Sequence, residues 1–354
     1  MTHHAARPRL LSDSDIETYA DAALHAVRLA SLVCRDAQQD AFSAGRAGAI
    51  TKGDDSPVTF ADFASQAVVA HTLRERLAHV TLVGEEGSDY LRDPEHATAL
   101  ERATRATSHV WSSVDEAALL EAVDLGAADP PIDGSGFWTL DPIDGTKGFV
   151  RGEQYSVCLA YILDGEPIIA ALGCPNLPAS FDAPFDARDP AGQVFLAVKG
   201  GGVRVADATQ PGHNPRPLHV AMRDLSAPAR SCRSVDASHS DHDAATQVLR
   251  AAGAGGEPLR LDSQCKYAVV ARGQAEVYLR LPRRAGAYVE RIWDHAPGAL
   301  IAQETGCVVT DVLGRPLDFS KGRGLDANRG VLCCRTEFHQ PILRAIREFF
   351  SARS

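Results

Sequence analysis

The sequence lacks the features that mark a membrane protein, a secreted one or a binder of nucleic acid. No run approaches the roughly 18 consecutive apolar residues that a bilayer-spanning helix needs. The opening "MTHHAARPRLLSDSD" has no apolar signal-peptide core. Basic residues are outnumbered, 36 against 46 acidic, and the formal net charge is −10. That balance removes the basic footprint from which nucleic-acid binding draws most of its affinity. The eight cysteines (34, 158, 174, 232, 265, 307, 333 and 334) contain no C-x-x-C pair and no metal-ligand spacing. They read as reduced, mostly buried thiols of a cytoplasmic protein rather than as disulfides. There is no internal repeat and no low-complexity tract.

What is present is a chain of 354 residues, 45% apolar and 23% charged, enough for two ordinary domains. Its acidity does not exclude a small anionic ligand. A metal ion and a few local cations can invert the field of one pocket.

Ser14 and Glu17 have capping-box spacing, and the apolar positions that follow predict an amphipathic helix over roughly 14–39. A second helix opens at Thr59 and runs through "FADFASQAVVAHTLRERL". The β-rich "VTLVG" (80–84) delivers Glu85 and Glu86 at its end. Residues 87–136 have a weak pattern, apart from a helix near 114–123, and read as an insertion or lid. "YSVCLAYILDGEPIIAALGC" (155–174) is a hairpin around an Asp-Gly turn, and "QVFLAVKGGGVRVA" (193–206) is another. After the loop at 207–218, helices and strands alternate: helices near 241–252 and 264–272, strand 275–281, a helix after Asp294, strand 307–311 and a helix near 336–350. The expected division is 1–217, helices plus an antiparallel sheet, and 218–354, an α/β domain.

One turn concentrates the chemistry. "FWTLDPIDGTKGF" places Asp141 and Asp144 three residues apart behind an apolar strand, with Gly145 and Thr146 immediately after. Two carboxylates about 4 Å apart repel by roughly 4 kcal/mol at an effective dielectric near 20, so something must compensate. A surface turn is the plain alternative, because Asp, Pro and Gly are the usual turn residues. Glu85 and Asp294 also sit at a strand end and a helix start. Each alone could be a solvated turn residue or a helix cap. Together, with no adjacent basic residue, the four suit a hard divalent cation with oxygen ligands, magnesium first. Gly145 and Thr146 add backbone amides and a hydroxyl for an anion, which points to metal-assisted phosphoryl hydrolysis. The D-P-I-D-G-T spacing differs from the D-x-D-G-T of aspartyl-phosphate phosphatases and argues against a phospho-aspartate route.

"GEE" (84–86), "DPIDGT" (141–146) and "WDHAPG" (293–298) resemble the signature of the lithium-sensitive, magnesium-dependent phosphomonoesterases, the inositol monophosphatase superfamily. "DDSPVTFADFASQ" (54–66), "DGTKGFVRGEQYSVCLA" (144–160), "GCPNL" (173–177), "ASHSDHD" (237–243), "LDSQCKYAVVARGQAEVYLRLP" (261–282) and "VERIWDH" (289–295) narrow the resemblance to its 3′(2′),5′-bisphosphate nucleotidases.

The resemblance implies a layered α/β/α/β/α sandwich of the inositol monophosphatase and fructose-1,6-bisphosphatase type, with α+β and α/β parts. It implies hydrolysis of adenosine 3′(2′),5′-bisphosphate to AMP and phosphate, with 3′-phosphoadenosine 5′-phosphosulfate as a second candidate substrate. Metal ligands would be Glu85, Asp141, the carbonyl of Ile143, Asp144 and Asp294, holding about two or three magnesium ions per site. Asp62 and Thr146 would be the water-activating pair. Glu86 would orient ligands from behind. Gly145, Thr146, Ser238, His239, Ser263, Lys266 and Arg280 would contact the substrate. From the residues alone, Arg280 could equally face solvent on an edge strand, and Lys266 could be a surface lysine. The expected partner is a small nucleotide bisphosphate, with no polymer, no membrane and a monomeric chain. An inositol (poly)phosphate phosphatase and a non-catalytic nucleotide sensor are the alternatives. "KGGGVRV" (199–205) departs from the family by lacking an aromatic after its glycines.

Overall fold

The computed structural model describes residues 11–43, 50–51, 57–186, 188–210, 214–222, 226–235, 241–282 and 289–351. In chain order, α1 (Asp13–Ser43) leads to a short antiparallel pair, β1 (Ile50–Thr51) and β2 (Pro57–Val58), and then α2 (Phe60–Arg76). β3 (Leu82–Gly84) is followed by three helices that build residues 87–136: α3 (Asp89–Arg92), α4 (Ala97–Ser108) and α5 (Glu116–Asp124). β4 (Phe137–Asp144) runs into α6 (Thr146–Arg151). β5 (Ser156–Leu163), β6 (Glu166–Cys174), β7 (Gln193–Val198), β8 (Gly202–Ala206) and β9 (Arg216–Pro217) complete the first half. The rest comprises β10 (Ser231–Arg233), α7 (His242–Ala251), β11 (Leu259–Arg260), α8 (Cys265–Ala271), β12 (Val277–Arg280), α9 (Ala296–Gln303), β13 (Cys307–Thr310), β14 (Val331–Arg335) and α10 (Thr336–Ser351).

Strands β3 to β9 form one sheet in sequence order, antiparallel except for the parallel β3–β4 pair. The second sheet has the order β11-β10-β12-β14-β13, parallel around β10 and antiparallel around β14. Side-chain alternation along each strand feeds two cores at once. Trp138, Leu140, Leu159, Tyr161 and Leu196 pack on α1 and α2. Their neighbours Phe137, Cys158, Ala160, Ile162 and Phe195 pack on the opposite side, against α8, α9 and one face of the second sheet. The far face of that sheet, Val277, Leu279, Leu332 and Cys334, packs on α7 and α10. The layers are therefore helix, sheet, helix, sheet, helix, the five-layer sandwich expected. The central helices carry little polarity because both of their flanks are covered.

Several local readings meet their physical counterparts. The 155–174 hairpin turns at Asp164 and Gly165, both at positive φ (53° and 75°), as a type I′ turn requires. The "KGGGVRV" turn keeps its packing without an aromatic, because the Glu304 carboxylate accepts from the backbone of Gly200 (2.8 Å) and Gly202 (2.9 Å). The first capping box needs correction. It pairs Ser12 with Asp15, each accepting the other's backbone N–H at 3.1 Å, rather than Ser14 with Glu17, because the helix begins at Asp13. All eight cysteines are free and buried. No helix among the described residues is long and apolar enough to cross a membrane.

Candidate active site

The turn that ends β4 is shaped by a bulge. β4 pairs Asp141 with Cys158 and Asp144 with Ser156, so three residue steps on one strand answer two on its partner. In a regular pleat, residues three apart point to opposite faces; the extra residue removes that separation. The Asp141 carboxylate accepts from the backbone of Ile143 at 3.1 Å. The Thr146 hydroxyl donates to the Ile143 carbonyl at 3.2 Å.

α2 fixes this turn from one side. Its start is a full capping box: the Asp62 carboxylate accepts from the Thr59 backbone at 2.7 Å and from the Thr59 hydroxyl at 2.8 Å. One turn on, the Ser65 hydroxyl donates to the Pro142 carbonyl at 2.8 Å. The Gln66 amide grips the neighbouring strand end, donating to the Glu86 carbonyl at 2.6 Å and accepting from the Glu86 N–H at 3.1 Å. A Cβ on Gly84 would lie 2.5 Å from that same amide oxygen, so the approach requires glycine. Asp62, Ser65 and Gln66 are all buried. They stand at i, i+3 and i+4, one face of the helix turned toward the two acidic turns. Only Asp62 was singled out in the sequence. The signal for the others was three polar residues at i, i+3 and i+4 in the otherwise apolar first half of the helix, residues 60–70.

The second half supplies the other wall. Asp294 lies just before α9, whose cap is His295. Gln264 joins the halves. Its backbone N–H donates to the Asp144 carboxylate, its amide nitrogen to the Trp293 carbonyl (2.8 Å), and its amide oxygen accepts from Gly298 (2.9 Å). Arg323 reaches back to the carbonyls of Gly84 and Ala128 while stacking over Trp293. Neither residue was marked in the sequence, because their role exists only once the two sheets meet.

The electrostatics bring the predicted acids together. Asp141 is buried, and its carboxyl is pushed well above the ordinary range, first by burial and then by Glu85, Asp144, Asp294 and Asp62. Burial also raises Asp144, against the pull of Lys266, the Gln264 N–H, Arg280 and His295. Asp294 is pushed up to about 6 by burial and by its acidic neighbours Asp144 and Glu290, with His295 and Arg280 opposing. Four carboxylates thus act on Asp141, one from its own turn and three from separate segments.

Among the described residues, the acidic group whose ligand atoms all lie within 4.8 Å of one another is Glu290, Asp294 and His295. Glu85, Asp141, Asp144 and Asp294 do not all come within that distance of one another. Glu290 is already committed: its oxygens lie 2.8 Å from Arg280 Nε and 3.3 Å from His295 Nε2. Asp294 is the member of both groups.

Of the substrate contacts, Lys266 is only 4% exposed, on the first turn of α8. Burial lowers its pKa, while Asp144 and Asp262 raise it. Arg280 lies on β12, the third of five strands and not an edge. The surface readings of both cations are thereby excluded. Ser263 is buried with φ 68°. Ser238 and His239 lie outside the described residues.

The profile of the inositol monophosphatase family matches residues 15–349. The chain belongs to the inositol monophosphatase family. It is 38% identical over 320 residues to the 3′(2′),5′-bisphosphate nucleotidase of Schizosaccharomyces pombe, covering 84% of this chain and 86% of that one. It is 37% identical over 340 residues to the 3′,5′-bisphosphate nucleotidase 2 of Arabidopsis thaliana, covering 92% and 95%. Among solved structures, the IMPase of Thermotoga maritima superimposes with a TM-score of 0.60 at 17% identity, covering 94% of this chain and 98% of that one. That likeness concerns the fold.

Proposed function

We propose that this member of the inositol monophosphatase family is a 3′(2′),5′-bisphosphate nucleotidase, removing the 3′(2′)-phosphate of adenosine 3′(2′),5′-bisphosphate by hydrolysis. The observation that carries the reading is the meeting of an acid cluster and a cation pair on Asp144. Glu85, Asp62, Asp144 and Asp294 act on Asp141. Lys266 and Arg280, both from the second half, act on Asp144. The first group suits a cation and the reacting phosphate. The second suits another phosphate a few ångströms away, which a monophosphorylated substrate lacks.

The residues fit divalent cations. The donor set is entirely oxygen, which selects hard ions, and the four carboxylates that act on Asp141 set up a repulsion that a bound cation would offset. Glu85, Asp141, Asp144, Asp294 and the Ile143 carbonyl would hold magnesium. When bound, such ions neutralise charge developing on the phosphate and make water a better nucleophile. The chain's part is to place the reactants. Gly145 and Thr146 face the reacting phosphate. Thr146 would pass a proton from the attacking water toward Asp62, whose position the Thr59 cap holds. Glu86, buried behind Glu85 and clamped by Gln66, keeps that turn in register. We assign the acids Asp62, Glu85, Asp141 and Asp144 to a unit spanning 1–217, and Asp294 with the cation pair to a unit spanning 218–354.

Comparing phosphate release from adenosine 3′,5′-bisphosphate, its 5′-phosphosulfate, inositol 1-phosphate and fructose 1,6-bisphosphate tests the reading. Preference for the nucleotides supports it. Preference for inositol 1-phosphate would transfer the chain to the inositol phosphatases, and no turnover with tight nucleotide binding would make it a sensor.

A further inference from the structure

β3 is the edge strand of the first sheet, with β4 on one side only. The backbone groups of Gly84 face away from β4 and must find partners off the sheet. The Gly84 N–H donates to the Gly126 carbonyl at 2.8 Å. The Gly84 carbonyl accepts from Arg323 Nη2, while Arg323 Nη1 donates to the Ala128 carbonyl at 3.0 Å. That Gly84 carbonyl shares one planar peptide unit with the Glu85 N–H, which donates to the Leu140 carbonyl of β4 at 3.1 Å. The peptide from which Glu85 departs is thus held on both sides, on one of them by Arg323.

The same arginine is fixed to the second half. Its own carbonyl accepts from the Ile292 N–H at 3.2 Å, and the Glu290 carbonyl accepts from the Leu325 N–H at 2.8 Å. This antiparallel contact, centred on Arg291 and Gly324, leads directly into Trp293 and Asp294. The Arg323 guanidinium lies 5.0 Å from the centre of the buried Trp293 ring. From Asp294 to Glu85 the path is one short run of backbone and a single side chain.

We infer that Arg323 is a positioning residue for the cation site, holding Glu85 of the first half in register with Asp294 of the second. A planar guanidinium can meet two carbonyls at once, so it fixes direction as well as distance. The charges acting on Arg323 are those of Asp129 and Arg291. Arg323 is not among the leading charges on Asp141, Asp144 or Asp294. Its influence on the acids is therefore geometric. Geometry and charge predict opposite outcomes: loosening the tie weakens cation binding, whereas merely deleting a positive charge strengthens it. This inference rests on the metal-dependent reading above.

The test titrates magnesium calorimetrically into the full chain stripped of metal. The proteins are wild type, Arg323→Ala, Arg323→Lys, Arg291→Ala, Glu85→Gln and Arg323→Lys/Glu85→Gln, and thermal unfolding in chelator checks each fold. Arg323→Lys keeps the charge without the fork, and it carries the test if Arg323→Ala does not fold. Arg291→Ala removes the other cation over Trp293, 5.9 Å from the ring centre, and leaves the tie intact. Both Arg323 variants should bind magnesium about tenfold more weakly, the lower end of what residues behind metal ligands contribute. Arg291→Ala should change affinity by less than about twofold, and Arg323→Lys should add no loss in the Glu85→Gln background. Tighter magnesium binding by Arg323→Ala would overturn the assignment. So would unchanged affinity with lowered stability, or losses that add in the double variant, since each marks a structural role only. A wild type that takes up no magnesium would instead overturn the metal-dependent reading beneath it.

Discussion

Gly145 and Ser263 meet backbone to backbone where the two halves of the site join. A Cβ on Gly145 would lie 2.9 Å from Ser263 Cβ and 3.2 Å from its backbone nitrogen. Both residues have left-handed φ, 84° at Gly145 and 68° at Ser263. The acid-bearing turn therefore docks on the segment that carries Gln264 and Lys266 only because position 145 has no side chain. Gly145→Ala combines strain of about 1–3 kcal/mol with a contact that must open. Turnover should fall by on the order of 10²-fold, the sensitivity of positioned reactions to about 1 Å of misplacement. Gly87→Ala, where an added Cβ meets nothing within 4 Å, is the control and should be silent in the same assay. An active Gly145→Ala enzyme would separate the docking from catalysis.

Asp144→Asn should lower turnover by at least about 10²-fold, the scale of a lost catalytic group. The fold should persist, because an amide oxygen can still accept from the Gln264 N–H and one like charge is removed from a repelling cluster. Circular dichroism and thermal unfolding check the fold, and phosphate release checks the rate. Wild-type protein in excess chelator should be inactive, and full activity there would exclude a metal-dependent mechanism.

Magnesium affinity should rise with pH through about 6, where Asp294 loses its proton. Asp141 and Asp144 shift in the same direction. Ligand carboxylates bind a cation only when deprotonated. The sign for stability is opposite. With a folded-state pKa near 6 against an ordinary 3.8, Asp294 contributes stability that is full below 3.8 and lost as pH rises through 6. Calorimetric titration of magnesium between pH 5 and 8, with unfolding in chelator over the same range, reads both trends. Asp294→Asn should flatten each, and a magnesium affinity indifferent to pH would contradict the shared acid cluster.

Lithium should inhibit and potassium should not. Lithium approximates magnesium in size with half its charge, so it can enter an oxygen-lined position without supplying the same stabilisation of phosphate charge. The position at issue is that of Asp141, Asp144 and Asp294, and inhibition should weaken in Asp294 variants that still turn over. Lithium and potassium chloride compared at equal ionic strength would give coincident curves if the effect were only one of salt.

The sequence by itself determined the first two long helices, the hairpin at Asp164-Gly165 and the chemical type of the site. Each is written locally, in periodicity, in turn residues or in carboxylates held within one short segment. "DPIDGT" carried its meaning because its constraint closes over six residues. Tertiary structure decided what depends on distant partners. Lys266 and Arg280 could be surface cations until both were placed beside Asp144, the second on a central strand. Gln66 and Gln264 are ordinary amides until one clamps the Glu86 turn and the other spans from Asp144 to Trp293. Glu290 and His295 sit in "VERIWDH" beside a predicted ligand, yet their work is on Arg280 and Tyr267, which belong to other elements. Burial removes water as a partner, so each of these polar groups must find another within the protein. Which one it finds is set by packing between layers, and no single stretch of sequence records it.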